Sequence, residues 1–111
     1  MTTTIATRDE GDVLVCSVTG RLDSTTSEAA NVELLGLIGE RRRVLLNLRG
    51  VDYVSSDGLR VLVQAAKHVR AQGGAFKLCH ASNGIRKVLE ISGLERMLDL
   101  HAEEASALAA F

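Results

Sequence analysis

The sequence predicts an α/β protein with a mixed, partly parallel β-sheet of four to five strands and about four packed helices. Short runs rich in β-branched residues alternate with segments in which apolar residues recur at helical spacing, in the order β, β, α, β, α, β, α, β, α. The chain has 111 residues, 46% of them hydrophobic, which suits one core and leaves little room for a second domain. We therefore expect residues 1–111 to form a single domain.

Two strands and a helix are predicted in the first third. Residues 5–7 and 13–18 are rich in β-branched side chains and flank the turn-type sequence Asp9-Glu10-Gly11-Asp12, which favours a hairpin. Thr25 and Glu28 have the spacing of a capping box, so a helix is predicted to begin near Thr25 and to end at Gly39. Its predicted apolar face consists of Ala30, Leu34, Leu37 and Ile38.

The middle of the chain predicts the central strand and the clearest helix. Residues 44–48 are almost continuously apolar, as expected of a strand covered on at least one face. A stripe of apolar residues from Leu59 to Val69 has polar residues opposite, and Gly73-Gly74 ends it. We expect the strand to lie at the centre of the sheet and the helix to pack against it.

The last third predicts shorter elements. Residues 76–79 are typical of a strand, and an apolar stripe over 85–89 indicates a short helix that Gly93 can end. Residues 97–100 are a weaker strand candidate. Residues 103–111 are rich in alanine and acidic at their start, which predicts a terminal helix.

Charge and aromatic content exclude several kinds of partner. The chain has 13 basic and 14 acidic residues, so nothing indicates binding to nucleic acid or to an anionic membrane. With three aromatic residues and no tryptophan, a base-stacking platform is excluded too. The N-terminus lacks the pattern of a signal peptide, and no apolar run is long enough to span a bilayer. We expect a soluble, cytoplasmic protein without direct membrane insertion.

The cysteines and histidines suggest no metal or cofactor site. Cys16 and Cys79 lie in apolar runs, where free cysteine usually behaves as a small buried hydrophobe, although a cross-strand disulfide remains an alternative. Cys79 and His80 are adjacent, but no further ligand motif is spaced to join them. We expect no metal and no cofactor.

The most informative stretch runs from Asn47 to Arg60, between the predicted central strand and the clearest helix. In open α/β sheets, ligands and partners bind at the carboxyl ends of strands, so a functional site is expected here. Ser55 or Ser56 can cap the helix, and Asp57 can complement its positive end. One serine could also accept a phosphoryl group, because free amides at a helix N-terminus hold phosphate oxygens. The two interpretations are compatible.

Four segments carry a resemblance to a known family. They are Gly20-Arg21-Leu22-Asp23, the apolar strand through Leu48, Val54-Ser55-Ser56-Asp57-Gly58-Leu59-Arg60-Val61-Leu62, and Ile91-Ser92-Gly93-Leu94. Together they resemble the STAS domain of bacterial anti-sigma factor antagonists over nearly the whole chain. The resemblance implies a single STAS-like domain over residues 1–111.

The resemblance also implies a function based on binding rather than on catalysis. The partner would be a serine kinase with a histidine-kinase-like ATPase fold that is also an anti-sigma factor, so that binding releases a sigma factor. Phosphorylation of the antagonist breaks the complex, and a serine phosphatase restores it. The phosphorylated serine of the family matches Ser56, and Asp23 matches an acidic residue that contacts the partner. The implied partner-binding residues are Asp23, Ser55, Ser56, Asp57, Gly58 and Arg60.

Two departures from the family pattern bear on this site. Ser55 stands where sporulation-type members carry Asp, so either serine could be modified. Asp57 stands where Ser, Thr or Ala is more familiar, and its carboxylate would repel a phosphate on Ser56 unless it turns toward solvent, as we expect. Asp23 also has a purely structural interpretation, as a turn or cap residue in front of residues 24–26.

Other functions are less consistent with the residues. A serine hydrolase would need a Gly-x-Ser-x-Gly turn, which is missing around Ser56, and His68, His80 and His101 occupy unrelated contexts. Asp52 suggests an aspartyl-phosphate receiver, but no acidic pair follows the predicted strand that ends at Val18. We therefore predict no enzyme, and a monomer as the simplest state. The main alternative is a non-phosphorylated STAS interaction subunit of a phospholipid-transport ATPase or of a signalling complex.

Overall fold

The computed structural model describes residues 3–111, which contain five strands and five helices. This confirms the predicted α/β class and mixed sheet. In chain order the elements are β1 Thr4–Glu10, β2 Val13–Leu22, α1 Ser27–Ile38, β3 Arg43–Val54, α2 Ser56–Ala71, β4 Ala75–Cys79, α3 Asn83–Ser92, α4 Glu95–Leu98, β5 Leu100–His101 and α5 Glu104–Ala109.

The sheet has the strand order β1-β2-β3-β4-β5. The predicted hairpin is confirmed, since β1 pairs antiparallel with β2 from Thr4↔Thr19 to Glu10↔Val13. All other neighbours are parallel, as expected of strands joined through helices. The strands β2, β3 and β4 therefore end at the same edge of the sheet.

The two faces of the sheet are covered differently. Side chains alternate between faces along each strand, so Leu46 faces one side and Leu45 the other. The first face carries the larger core, to which α1, α2, α3 and α4 all contribute buried side chains. The second face has a small cluster under α5, where Ala107 packs with Leu45 and Cys79. The main helical layer therefore lies on one side of the sheet.

The cysteines confirm the prediction of buried free thiols. Cys16 belongs to the core of the first face and Cys79 to the cluster of the second face, and both are free. Burial raises the pKa of each thiol to about 11. The alternative of a cross-strand disulfide is wrong, because the sheet separates the two side chains.

The predicted start of the first helix needs correction. The helix α1 begins at Ser27, and the proposed capping box of Thr25 and Glu28 does not form, because the Thr25 hydroxyl donates to the Asp23 carboxylate. Leu37, placed on the apolar face by its spacing, is 40% exposed. The other three residues of the predicted face, Ala30, Leu34 and Ile38, are buried as expected. Apolar residues lie on most sides of this helix, so spacing did not separate Leu37 from them.

Two further boundaries differ from the prediction. Residues 97–100, predicted as a strand, lie mostly in the short helix α4 and in the turn at Asp99, and β5 begins only at Leu100. The stretch after residue 48, predicted as a loop, continues as strand β3 to Val54. None of the described helices is long and apolar enough to cross a membrane.

Candidate functional site

The candidate site lies where β2 and β3 end side by side. Leu22 and Val54 are paired in the parallel ladder, and the Ser55 amide donates to the Leu22 carbonyl oxygen over 2.8 Å. Asp23 follows the first strand and Ser56 the second. The fold therefore brings together two segments that are more than thirty residues apart in the sequence.

The two serines have different environments. Ser55 is the N-cap of α2, with extended backbone, and its Oγ accepts from the Gly58 amide at 3.3 Å. Ser56 is the first residue of the helix and is exposed. The cap that the sequence allowed for either serine is thus made by Ser55, and the Ser56 side chain lies at the surface.

Gly58 holds the start of α2 against the end of the sheet. A Cβ atom at this position would lie 2.8 Å from Leu22 Cβ and 2.9 Å from Val54 Cγ1. Both distances are too short for a real side chain. Gly58 therefore permits the close approach that sets the position of Ser56 relative to β2.

Asp23 organises the turn in front of α1. Its Oδ1 accepts from the Thr25 hydroxyl at 2.7 Å, from the Thr25 amide at 2.9 Å and from the Thr26 amide at 3.2 Å, while Arg21 Nε lies 3.3 Å from Oδ2. The Thr25 hydroxyl, with these further donors, lowers the pKa of Asp23 to about 2. The side chain is 20% exposed. The structural interpretation of Asp23 is confirmed, and its carboxylate also reaches the surface.

Arg21 and Tyr53 form a neighbouring pair that the sequence analysis missed. The Arg21 guanidinium lies 4.5 Å from the centre of the Tyr53 ring. Tyr53 as a whole is 43% exposed. Their backbones are partners in the ladder of β2 and β3. Only the pairing register could have shown that these residues are adjacent.

Asp57 and Arg60 line a groove between the start of α1 and the start of α2. The groove holds about 350 Å³. The residues that line it are Ser24, Ser27, Glu28, Asn31, Asp57, Arg60, Val61 and Gln64. Asp57 is half-buried. It lies along the groove, whereas Ser56 is exposed.

The residues considered for other chemistry lie apart from this site. Asp52 is within strand β3 and not behind it, which is not the position that a receiver requires. His68 contacts the Gly39 carbonyl oxygen at 2.8 Å, His80 accepts from the Glu104 amide at 3.0 Å, and His101 lies 3.1 Å from Asp99. Within residues 3–111, no three His, Cys, Asp or Glu side chains are grouped to hold a metal ion.

This sheet order and the capped helix at its edge define an α/β domain whose candidate site is the start of α2. The chain belongs to the STAS domain family, whose model matches residues 4–107. A relative in Bordetella bronchiseptica, BtrV, provisionally named an anti-sigma factor antagonist, is 36% identical over 100 residues, which cover 89% of this chain and 86% of that protein.

Two solved structures share the fold. The crystal structure of an anti-sigma factor antagonist from Mycobacterium paratuberculosis matches with a TM-score of 0.87 at 23% identity, over 97% of this chain and 92% of that one. The Bacillus cell fate determinant SpoIIAA, solved in its phosphorylated form, matches with a TM-score of 0.71 at 20% identity, over 97% of this chain and all of that one.

Proposed function

We propose that this protein is an anti-sigma factor antagonist that binds an anti-sigma factor serine kinase, releases a sigma factor and is switched off by phosphorylation of Ser56. The observation that carries the proposal is the exposed Ser56 at the first residue of a helix that Ser55 already caps. Membership of the STAS family and the name of the BtrV relative support it. The protein acts in this proposal by binding and carries out no catalysis.

The proposed binding surface surrounds Ser56. Ser56 and Arg60 are exposed, and Asp23 and Asp57 are accessible at their edges, so these four side chains would contact the kinase. Ser55 and Gly58 would contribute by fixing the position of the helix start. Ser55 is partly buried and Gly58 is buried, so their role is to support the surface.

A phosphoryl group on Ser56 would change the electrostatics of this surface. It would add roughly 1.5 to 2 negative charges. The free protein can accommodate them, because the dipole and free amides at the start of α2 favour an anion. In a complex, the same dianion would lose its water next to the Asp57 carboxylate, which is strongly unfavourable. The unmodified form would therefore bind and the modified form dissociate, until a serine phosphatase removes the phosphate.

Affinity capture from an extract of the native cells tests this proposal. The baits are the wild-type protein, Ser56→Ala, Ser56→Asp and Asn83→Asp. Asn83 is a matched control, because it is also an exposed first helical residue behind a capping serine, in α3. We expect the wild type, Ser56→Ala and Asn83→Asp to retain a histidine-kinase-like ATPase identified by mass spectrometry, and Ser56→Asp to lose it.

A different result would favour the alternative function. Recovery of the subunits of a membrane transport ATPase in equal amounts by all four baits would indicate a non-phosphorylated interaction subunit. Ser56 would then be only an exposed helical residue. Retention of the kinase by Ser56→Asp would contradict the switch while leaving the partner in place.

A further inference from the structure

The outward side of α1 carries apolar surface that the core does not use. Val32 is 69% exposed, and with Ala29 it lines an open hollow whose rim includes Glu28 and Glu33. The inward side of the same helix already supplies Ala30, Leu34 and Ile38 to the core. Val32 and the two glutamates therefore give this side of α1 both an apolar contact area and negative charge.

This hollow adjoins the groove between α1 and α2. Glu28 lines both of them, since the groove lies on the side of α1 that faces α2. The groove also contains the Asp57 carboxylate and one basic side chain, Arg60. Two carboxylates against one guanidinium leave it with a net negative charge.

Asn31 adds an unused acceptor to the groove. Its Oδ1 atom is buried and has no hydrogen-bond partner within the part of the chain that the structure describes. Buried polar atoms are nearly always hydrogen-bonded in native proteins. A positively charged side chain that enters the groove could donate to the carboxylates of Glu28 and Asp57. The Asn31 side chain would have to turn toward the groove for its oxygen to accept as well.

We propose that α1 carries a second contact region for the anti-sigma factor, here called the α1 surface. It is made of Glu28, Ala29, Val32 and Glu33 on the outward side of the helix and of Asn31 on the side that lines the groove. The partner places a basic side chain in the groove and an apolar side chain over Val32. This inference rests on the proposed function and extends its interface from the start of α2 across α1. The two regions adjoin, because Glu28 and Asp57 line the same groove.

Isothermal titration with the purified kinase recovered in the capture experiment tests the α1 surface. The variants are Val32→Lys and Glu28→Lys, with Ile91→Lys as the matched control. Ile91 is also a β-branched helical residue and is 79% exposed, but it lies on α3. We expect the first two variants to weaken binding by about tenfold or more and Ile91→Lys by less than about twofold. All three sites are exposed, so circular dichroism should show a native fold for each.

The outcomes separate this inference from the proposed function. If the wild type binds the kinase and Val32→Lys binds within about twofold of it, the α1 surface is wrong and the function stands. If the wild type does not bind the kinase, both proposals fail. If Ile91→Lys weakens binding as much as Val32→Lys, the effect of added positive charge is general and the α1 surface is contradicted.

Discussion

At the residue scale, the two adjacent serines at the start of α2 occupy different positions. The Ser55 side chain accepts from the Gly58 amide, which leaves Ser56 exposed at the first helical position. The sequence left the cap open between the two serines, and it indicated Ser56 as the modification site only through the family resemblance. The assignment depends on where β3 ends, and the pattern after residue 48 did not show that the strand continues to Val54.

Replacing Gly58 by alanine should destabilise the protein although alanine is the better helix former. The added Cβ would collide with Leu22 and Val54, and we expect a loss of about 1–3 kcal/mol in the free energy of unfolding. The control is Gly36→Ala in α1, where an added Cβ meets nothing within 4 Å. That variant should gain up to about 1 kcal/mol. Urea unfolding measures both, and an equal gain at both positions would contradict the packing of α2 on Leu22.

The turn at Asp23 should make stability depend on pH. Hydrogen bonds from Thr25 hold the pKa of Asp23 at about 2, below its ordinary 3.8. Between these values the unfolded chain binds more protons than the folded one, so stability falls as the pH drops from 3.8 to about 2. The contribution is fully present above this window.

The measurement is urea unfolding across that pH range for the wild type, Asp23→Asn and Thr25→Val. We expect the stability advantage of the wild type over Asp23→Asn to shrink as the pH falls. Thr25→Val removes the largest cause of the low pKa of Asp23. Its free energy of unfolding should therefore lie below that of the wild type already at neutral pH and change less as the pH falls. An advantage that stays constant throughout the range would show that Asp23 does not hold the turn through its charge.

At the scale of elements, periodicity predicted α2 and α3 well because each has one polar and one apolar side. The helix α1 begins two residues later than predicted, and of its predicted apolar face only Leu37 is exposed, because apolar residues lie on most sides of the helix. Residues 97–100 were predicted as a strand. Residues 97 and 98 instead belong to the short helix α4, whose Leu98 is buried in the core, so tertiary packing overrides the local pattern there.

Glu104 holds the terminal helix α5 on the second face of the sheet through hydrogen bonds and an ion pair. The Glu104 carboxylate accepts from Asn47 Nδ2 at 2.7 Å and pairs with Arg8, while its amide donates to His80 Nε2. The helix covers the buried thiol of Cys79. Loosening α5 should therefore expose Cys79 more often, without exposing Cys16 on the opposite face.

Thiol labelling followed by mass spectrometry tests whether the contacts of Glu104 hold α5 on the sheet. We expect Glu104→Ala to speed the labelling of Cys79 relative to Cys16 by roughly fivefold to tenfold, since each lost hydrogen bond contributes about 1 kcal/mol. Glu103→Ala is the control, because Glu103 is exposed next to the same helix start. Equal acceleration of both cysteines would mean global unfolding rather than release of α5.

At the scale of the whole molecule, the sheet order places the segments at Asp23 and Ser56, which are distant in the sequence, next to each other. The sequence predicted the α/β class, the hairpin and the segments at Asp23 and Ser56, because these depend on local patterns and on the family resemblance. It did not predict the pair of Arg21 and Tyr53 or the groove between α1 and α2. Those features depend on the pairing register of β2 with β3 and on how two helices pack, which local patterns do not encode.

The most direct test of the central claim is to phosphorylate the protein with the captured kinase, map the phosphate by mass spectrometry and measure the affinity of both forms for that kinase. We predict phosphate on Ser56, none on Ser56→Ala, and an affinity at least about a hundredfold lower for the modified form. Phosphate on Ser55 or elsewhere, or equal affinity of the two forms, would contradict the account.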